Sequence, residues 1–344
     1  MLYELIKPYS SIATIGMCKN AGKTTVLNSL IEECFAHGET PALTSIGRDG
    51  ERSDVVTSTK KPEIFVYDGT IIATAEALLC LGDISREVLD TTGMPTPMGE
   101  VVIMRSCSDG LVQIAGPSMT AQLKSLKARL FALGAKRVFI DGALSRKSLA
   151  MPAVSDCCIL SSGASYARDM RKTVEDTAHS AALMSLEKTA RFDAGILESG
   201  AYEEKFIALD EEGKPIPLQG AKEAAELIRA GGVSAGVRVR AMLARGGVTD
   251  SVFEALFAAG KQLSGLELVI EDGSRLLVRA ANYQKLLRAG ACVKVLDETR
   301  LAAVTVNPFS AYGEHYDKNA FFDAVRVAIP AHIPVVNVKD CEYA

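Results

Sequence analysis

Tryptophan is absent from the 344 residues, and the four histidines, His37, His179, His315 and His332, stand far apart in sequence. A histidine-based zinc site and an aromatic platform for nucleic acid therefore have little to draw on. The eight cysteines, Cys18, Cys34, Cys80, Cys107, Cys157, Cys158, Cys292 and Cys341, form no C-x-x-C pair and no Cys/His metal spacing. Most lie in apolar runs, where a free thiol acts as a small hydrophobe, a usage that fits a reducing cytoplasm. No run approaches the roughly 18 uninterrupted apolar residues of a membrane span. The opening MLYELIKPYSS lacks the charged lead and long apolar core of a secretory signal. Net charge is −4 and the pI near 5.7, so no overall positive field draws in nucleic acid or an anionic membrane.

What is present is enough apolar residue, 48% of the chain, to bury more than one core. A chain of this length leads us to expect two domains of about 150 to 200 residues. Alternating apolar strands and amphipathic helices predict an α/β fold built on a mostly parallel sheet, with a second α/β domain after it. The polar stretch LDEEGKPIPLQGAKEAAEL at 209–227, followed by RAGGVSAG, separates the halves, and we divide the chain into 1–190 and 191–344.

The segment ATIGMCKNAGKTTVLNSLIEECFAHG at 13–38 carries the chemistry. Ile12 to Ile15 read as a strand ending at Gly16. Val26, Leu27, Leu30, Ile31, Cys34 and Phe35 make one apolar helical stripe stopped by Gly38. Strand, loop, helix is the context a phosphate loop requires. Gly22 lets backbone approach a polyphosphate, while the amides of Lys19, Asn20, Ala21, Lys23, Thr24 and Thr25 lie where a helix N-terminus receives an anion. Lys23 would bridge β- and γ-phosphates, and Thr24 would take one position on Mg²⁺. Five residues separate Gly16 from Gly22, one more than in G-x-x-x-x-G-K-[ST].

A nucleotide site also needs an acidic residue ending a second buried strand. Val138, Phe139 and Ile140 run into Asp141-Gly142, after a helix marked by Leu123, Leu126, Leu130 and Leu133 and stopped by Gly134. Asp141 is thus the expected metal-side carboxylate. Asp49 follows the strand Ala42 to Ile46 and reads equally as a residue orienting metal or water and as a polar turn, with Asp54 a weaker alternative. Ser108-Asp109-Gly110 reads as a hairpin turn, and FDAGILE near residue 195 as strand-like. Ser161 and Ser162, in a loop after the strand Cys157 to Leu160, read as base contacts or as a helix cap. Arg146 and Lys147 read as phosphate or partner contacts or as a solvated loop.

In the second half, NPFSAYGEHYDKN after a buried strand gathers Asn307, Ser310, Tyr312, His315 and Asp317. We expect a ligand or partner loop there, since Ser310 sits on no nucleophile elbow. NVKD at 337–340 has the wrong order for a guanine-reading N-K-x-D and falls in the second domain as divided here. Cys292 lacks the glycine-flanked elbow of an amidotransferase, and no D-x-H-x-x-G cobalamin-ligating motif occurs.

The longer-spaced loop GMCKNAGKTT resembles that of dethiobiotin synthetase and the cobyrinic acid amide synthetases, of the SIMIBI class of P-loop proteins. Lys19 lies one place later than the extra signature lysine of that class's dimer-forming ATPases. With FIDGALSRKS and VTVNPFSAYGEHYD, the whole chain resembles the P-loop protein that accompanies a MutS-like ATPase beside the adenosylcobalamin-dependent lysine 5,6-aminomutase and ornithine 4,5-aminomutase. That resemblance implies a cytoplasmic ATPase using ATP and Mg²⁺, with Lys23, Thr24, Asp141 and Asp49 at its site. It also implies the MutS-like ATPase and the aminomutase as partners, while the likeness to the SIMIBI class, whose members commonly dimerise across the nucleotide, leaves a homodimer open. The competing expectation is an ATP-dependent small-molecule ligase or kinase of the dethiobiotin synthetase type.

Overall fold

The computed structural model describes residues 2–46, 64–142, 154–196, 203–230, 239–338 and 342–343. The chain folds as mixed α/β in two compact units, one of Met1–Ala181 with Arg300–Ala344, the other of Ala182–Thr299. This differs from a division at residue 190: the segment after Arg300 returns to the first unit because its buried strand pairs there.

In chain order the first unit begins with α1 (Leu2–Ile6), β1 (Ser11–Gly16), α2 (Lys23–Ala36), β2 (Pro41–Ser45), β3 (Ile64–Val66), β4 (Ile71–Ala75), β5 (Arg86–Thr96), β6 (Gly99–Ser106), β7 (Gly110–Val112), α3 (Thr120–Ala132), β8 (Arg137–Asp141), β9 (Cys157–Gly163) and α4 (Met170–Leu183). The second unit holds β10 (Phe206–Leu209), β11 (Pro215–Leu218), α5 (Ala221–Ala230), β12 (Ala241–Ala244), β13 (Val248–Thr249), α6 (Asp250–Phe257), β14 (Glu267–Ile270), β15 (Leu276–Leu277), α7 (Ala280–Arg288) and β16 (Cys292–Val295). The chain then re-enters the first unit as β17 (Leu301–Asn307), α8 (Lys318–Ala328), β18 (Val335–Asn337) and β19 (Glu342–Tyr343).

The first unit is organised by a 10-stranded sheet in the order β19-β18-β17-β9-β1-β8-β2-β4-β6-β5. From β18 to β4 every pairing is parallel, and antiparallel strands finish both edges. Central parallel strands are covered on both faces, which is why β1 and β9 are buried at every residue. One face packs on α1 and α2 through Leu2, Ile6, Leu27, Leu30, Ile31 and Phe139. The 106–110 turn leads from β6 into β7, which pairs with β3 rather than folding back on β6 as a hairpin would.

Arg137, first residue of β8, anchors α1 and the turn after it. Its guanidinium donates to the carbonyls of Ile6 at 2.9 Å, Lys7 at 3.3 Å and Tyr9, and to the Glu39 carboxylate. It also lies 5.1 Å from the centre of the Tyr3 ring.

The second unit has a five-stranded sheet, β11-β10-β12-β14-β16, parallel from β12 to β16 and antiparallel beyond. Phe206, Phe253, Leu256, Leu268 and Leu286 fill its core. The stretch expected as a linker at 209–227 is instead part of this unit, as β11 and α5. Ala194–Ile196, expected as strand, is a short 3-10 turn. No helix among the described residues is long and apolar enough to cross a membrane.

Candidate functional site

Three adjacent strands set the geometry. β1 runs parallel between β8 and β9, with Thr14 opposite Asp141 and Gly16 opposite Ser161. The 16–25 loop leaves β1 with the Met17 amide donating to the Ser161 carbonyl at 2.8 Å. It turns through two left-handed residues, Asn20 at φ 60° and Gly22 at φ 100°. Asparagine and glycine are the residues that tolerate this backbone best.

Gly22 is the N-cap of α2, no side chain caps it, and the first turn carries no acidic residue. The first-turn amides of a helix have no intrahelical acceptor, and the helix dipole adds partial positive charge there. Lys23 folds back over Gly16: a side chain at Gly16 would start 2.8 Å from Lys23 Cγ and 3.1 Å from its Nζ. Glycine at 16 therefore leaves the space the lysine occupies. Thr24 is partly exposed, while Thr25 and Lys19 are exposed.

Asp141 ends β8 beside this lysine. Its Oδ1 accepts from Thr14 Oγ1 at 3.4 Å, and the Gly142 amide donates to the Thr14 carbonyl at 3.0 Å. Burial pushes the Asp141 carboxyl above the usual carboxylate range, against the charge of Lys23, the Thr14 hydroxyl and the Gly142 amide, which all pull it down. A carboxylate poorly hydrated in the ligand-free protein gains from a cation. Ser45 of β2 pairs with Asp141 from the other side. Beside it, the buried Thr44 hydroxyl has no hydrogen-bond partner among the described residues.

The residue that sequence order hid is Asn307. Ending β17, two strands from β1, its Nδ2 donates to the Asn20 carbonyl at 3.3 Å. Its Cβ lies 3.3 Å from where a side chain at Gly22 would begin. Gly163, at the end of β9, lies under both: a side chain there would start 2.9 Å from the Asn307 carbonyl oxygen and 3.4 Å from that of Ala21. The Asn307 loop, read from sequence as part of a second domain, thus borders the 16–25 loop. NVKD likewise begins in β18, Val335–Asn337, of the first unit. Thr14 was also missed, being one hydroxyl inside an apolar strand.

Other expectations resolve differently. Ser161 and Ser162 lie in β9, fully buried, and neither contacts solvent nor caps a helix. The Ser161 hydroxyl accepts from Thr305 Oγ1 at 3.0 Å, and Ser162 Oγ pairs with Thr177 Oγ1 at 2.6 Å. Ser310, His315 and Asp317 form no relay: His315 Nδ1 accepts from the Ser310 backbone amide at 3.1 Å, whereas the Asp317 carboxylate caps α8 through the Ala320 amide at 2.8 Å. Asp49, Asp54, Arg146 and Lys147 lie outside the described residues. Among the described residues no group of three or more His, Cys, Asp or Glu is placed to hold a metal.

The donor set suits a phosphate: first-turn amides behind a glycine N-cap that has no side chain to meet them, the Lys23 ammonium and no acid in the turn. Thr24 and Asp141 are the oxygen ligands at hand for a hard cation, which would take its other positions from phosphate oxygens and water. No protein-family model matches the chain, and no curated protein or solved structure matches it either.

Proposed function

We propose that the chain binds and hydrolyses a magnesium nucleoside triphosphate, ATP by its likeness to the SIMIBI class, at the 16–25 loop. The observation that supports this most is the placement of Lys23 over Gly16 with the half-buried Asp141 carboxylate at the end of the adjoining parallel strand. Bound nucleotide would supply the phosphoanhydride whose cleavage releases free energy. The chain's part is to fix phosphates with first-turn amides, place an ammonium against them, and keep Asp141 as a carboxylate beside the metal.

The partner half of the proposal rests on the resemblance of the three quoted segments. On it, the protein is the nucleotide-driven subunit that, with a MutS-like ATPase, reactivates an adenosylcobalamin-dependent aminomutase holding damaged cofactor. Such work requires that the ATP-bound and product-bound forms hold the mutase with different affinity.

The test is nucleotide turnover by the purified chain with Mg²⁺, with ATP and GTP in parallel, alone and with the aminomutase and the MutS-like protein. Low turnover that rises with both proteins and disappears in Lys23→Ala supports the reading. Lys23-dependent turnover indifferent to them, but raised by a small metabolite, moves the function to a ligase or kinase of the dethiobiotin synthetase type. Absence of any Lys23-dependent nucleotide binding ends the nucleotide reading.

A further inference from the structure

The segment from Asn307 to Asp317 is tied to the first unit at both ends while its middle faces solvent. At its start, Asn307 donates to the Asn20 carbonyl at 3.3 Å and accepts from the Phe309 amide at 3.2 Å through its other amide atom. One side chain therefore touches the 16–25 loop and the exposed segment together.

At its far end, Tyr316 closes a chain of hydroxyls. Its OH pairs with Thr173 Oγ1 at 2.7 Å and donates to the Ala167 carbonyl. One turn along α4, Thr177 Oγ1 donates to the Thr173 carbonyl at 2.6 Å and meets Ser162 Oγ. Thr173, Thr177 and Ser162 are fully buried. Ser162 follows Ser161, whose carbonyl receives the Met17 amide of the 16–25 loop. The loop thus reaches the 16–25 loop by two routes, one through Asn307 and one through β9 and α4.

Between the ties the segment folds on itself. The Tyr316 amide donates to the Pro308 carbonyl at 3.0 Å, and Ala311 is held by Ser165 Oγ at 3.1 Å. Phe309 and Tyr312 are left 49% and 59% exposed. An ion pair crossing to it, Arg168 with Glu314, joins largely exposed side chains and adds little.

We infer that Asn307 is a positioning residue that couples the 16–25 loop to the Phe309–Tyr312 surface, so that a ligand on the loop changes the order of that surface. Coupling of this kind is reciprocal: what binds the aromatic surface shifts the affinity of the loop by the same factor. The ligand side of this inference rests on the nucleotide reading above. The tie itself rests on the contacts of Asn307 and Tyr316 alone.

Amide hydrogen exchange on the full chain tests both, comparing wild type, Asn307→Ala, Asn307→Asp and Tyr316→Phe, with and without Mg²⁺ and a non-hydrolysable ATP analogue. Asn307→Asp keeps the shape and the acceptor for Phe309 but removes the donor to Asn20, so it serves if the alanine variant folds poorly. Without ligand, both Asn307 variants are expected to exchange about fivefold faster in 16–25 and 307–317, the effect of one ordinary hydrogen bond. Tyr316→Phe speeds 307–317 and the first turn of α4 only. With the analogue, wild type gains protection in 307–317, and the Asn307 variants bind but lose that gain. Equal gains in wild type and both variants, or binding by wild type with no change in 307–317, overturn the coupling and leave the nucleotide reading intact. If wild type binds no analogue, the nucleotide reading and the ligand-driven coupling both fail. In that case unchanged 16–25 exchange in both Asn307 variants refutes the tie as well.

Discussion

Gly22→Ala, set against Gly38→Ala, separates what the backbone demands from what the site demands. Both glycines have positive φ, 100° and 69°, but Gly38 has open space where a side chain would go, whereas at Gly22 the new carbon would meet Asn307 Cβ at 3.3 Å. Gly38→Ala therefore carries only the left-handed cost of an L-residue, about 1 kcal/mol. Gly22→Ala carries a larger conformational cost, because φ 100° is further from the left-handed minimum, and Asn307 must also give by a few tenths of an ångström. Together these come to about 2–3 kcal/mol. For a unit of this size each kcal/mol moves the midpoint by roughly 2–4 °C. Thermal unfolding should thus fall by about 2–4 °C for Gly38→Ala and about 4–12 °C for Gly22→Ala. A fluorescent ATP analogue titrated onto the folded proteins at 20 °C should bind Gly38→Ala as it binds wild type and Gly22→Ala at least tenfold more weakly. Equal midpoints for the two variants would show that neither the wider φ of Gly22 nor the Asn307 contact adds strain. Unchanged analogue affinity in Gly22→Ala would refute the placement of phosphates at this loop.

Two further outcomes follow from single side chains. Asp141→Asn should raise the midpoint of the ligand-free protein at neutral pH while abolishing the Mg²⁺ dependence of nucleotide binding, measured by calorimetry with and without EDTA; a lowered midpoint would refute a costly buried charge. The sign is fixed by the raised pKa. The native state holds its proton to higher pH than the unfolded chain, so the wild type loses stability as pH climbs from the ordinary aspartate value through the raised one, and the asparagine variant does not. Arg137→Ala takes the guanidinium from a half-buried Glu39, which keeps the Tyr3 hydroxyl, and from the carbonyls of Lys7 and Tyr9, and should cost about 2 kcal/mol, with Arg137→Lys recovering less than half because an ammonium cannot reproduce the fork. A midpoint shift under about 2 °C for Arg137→Ala would mean water replaces the guanidinium without penalty.

The 16–25 loop was legible because its signals are local. A short β-prone run, a Gly-Lys-Thr and a helical stripe sit within one stretch of chain, and Asp141 ends an apolar run of its own. Asn307 was recognisable as a loop residue but was assigned to the wrong neighbours, since nothing in LAAVTVN states which sheet a buried strand joins. The polar stretch at 209–227 reads as a boundary, and it puts everything after it into one domain. Ser161 and Ser162 read as loop because Ser-Ser-Gly has turn composition. Thr305 and Thr177, distant in sequence, supply the hydroxyl partners that let β9 continue through them. The FDAGILE stretch misled for a related reason: its apolar residues Phe192 and Ile196 pack on the second unit's core from a turn, with no partner strand to define a ladder.

The return of the chain at Arg300 also sets an order of synthesis. β17 lies directly beside β9, near the middle of the large sheet, yet it is made only after the entire second unit has left the ribosome. At ordinary elongation rates β9 waits on the order of ten seconds for its neighbour, with one edge of a strand meant for full burial left unpaired. The second unit, whose strands and helices are contiguous in sequence, can close during that interval. A chain stopped after residue 190 would carry the 16–25 loop and Asp141 but neither Asn307 nor the strand that completes the sheet around them. The expected product is an aggregating fragment rather than a smaller nucleotide-binding domain.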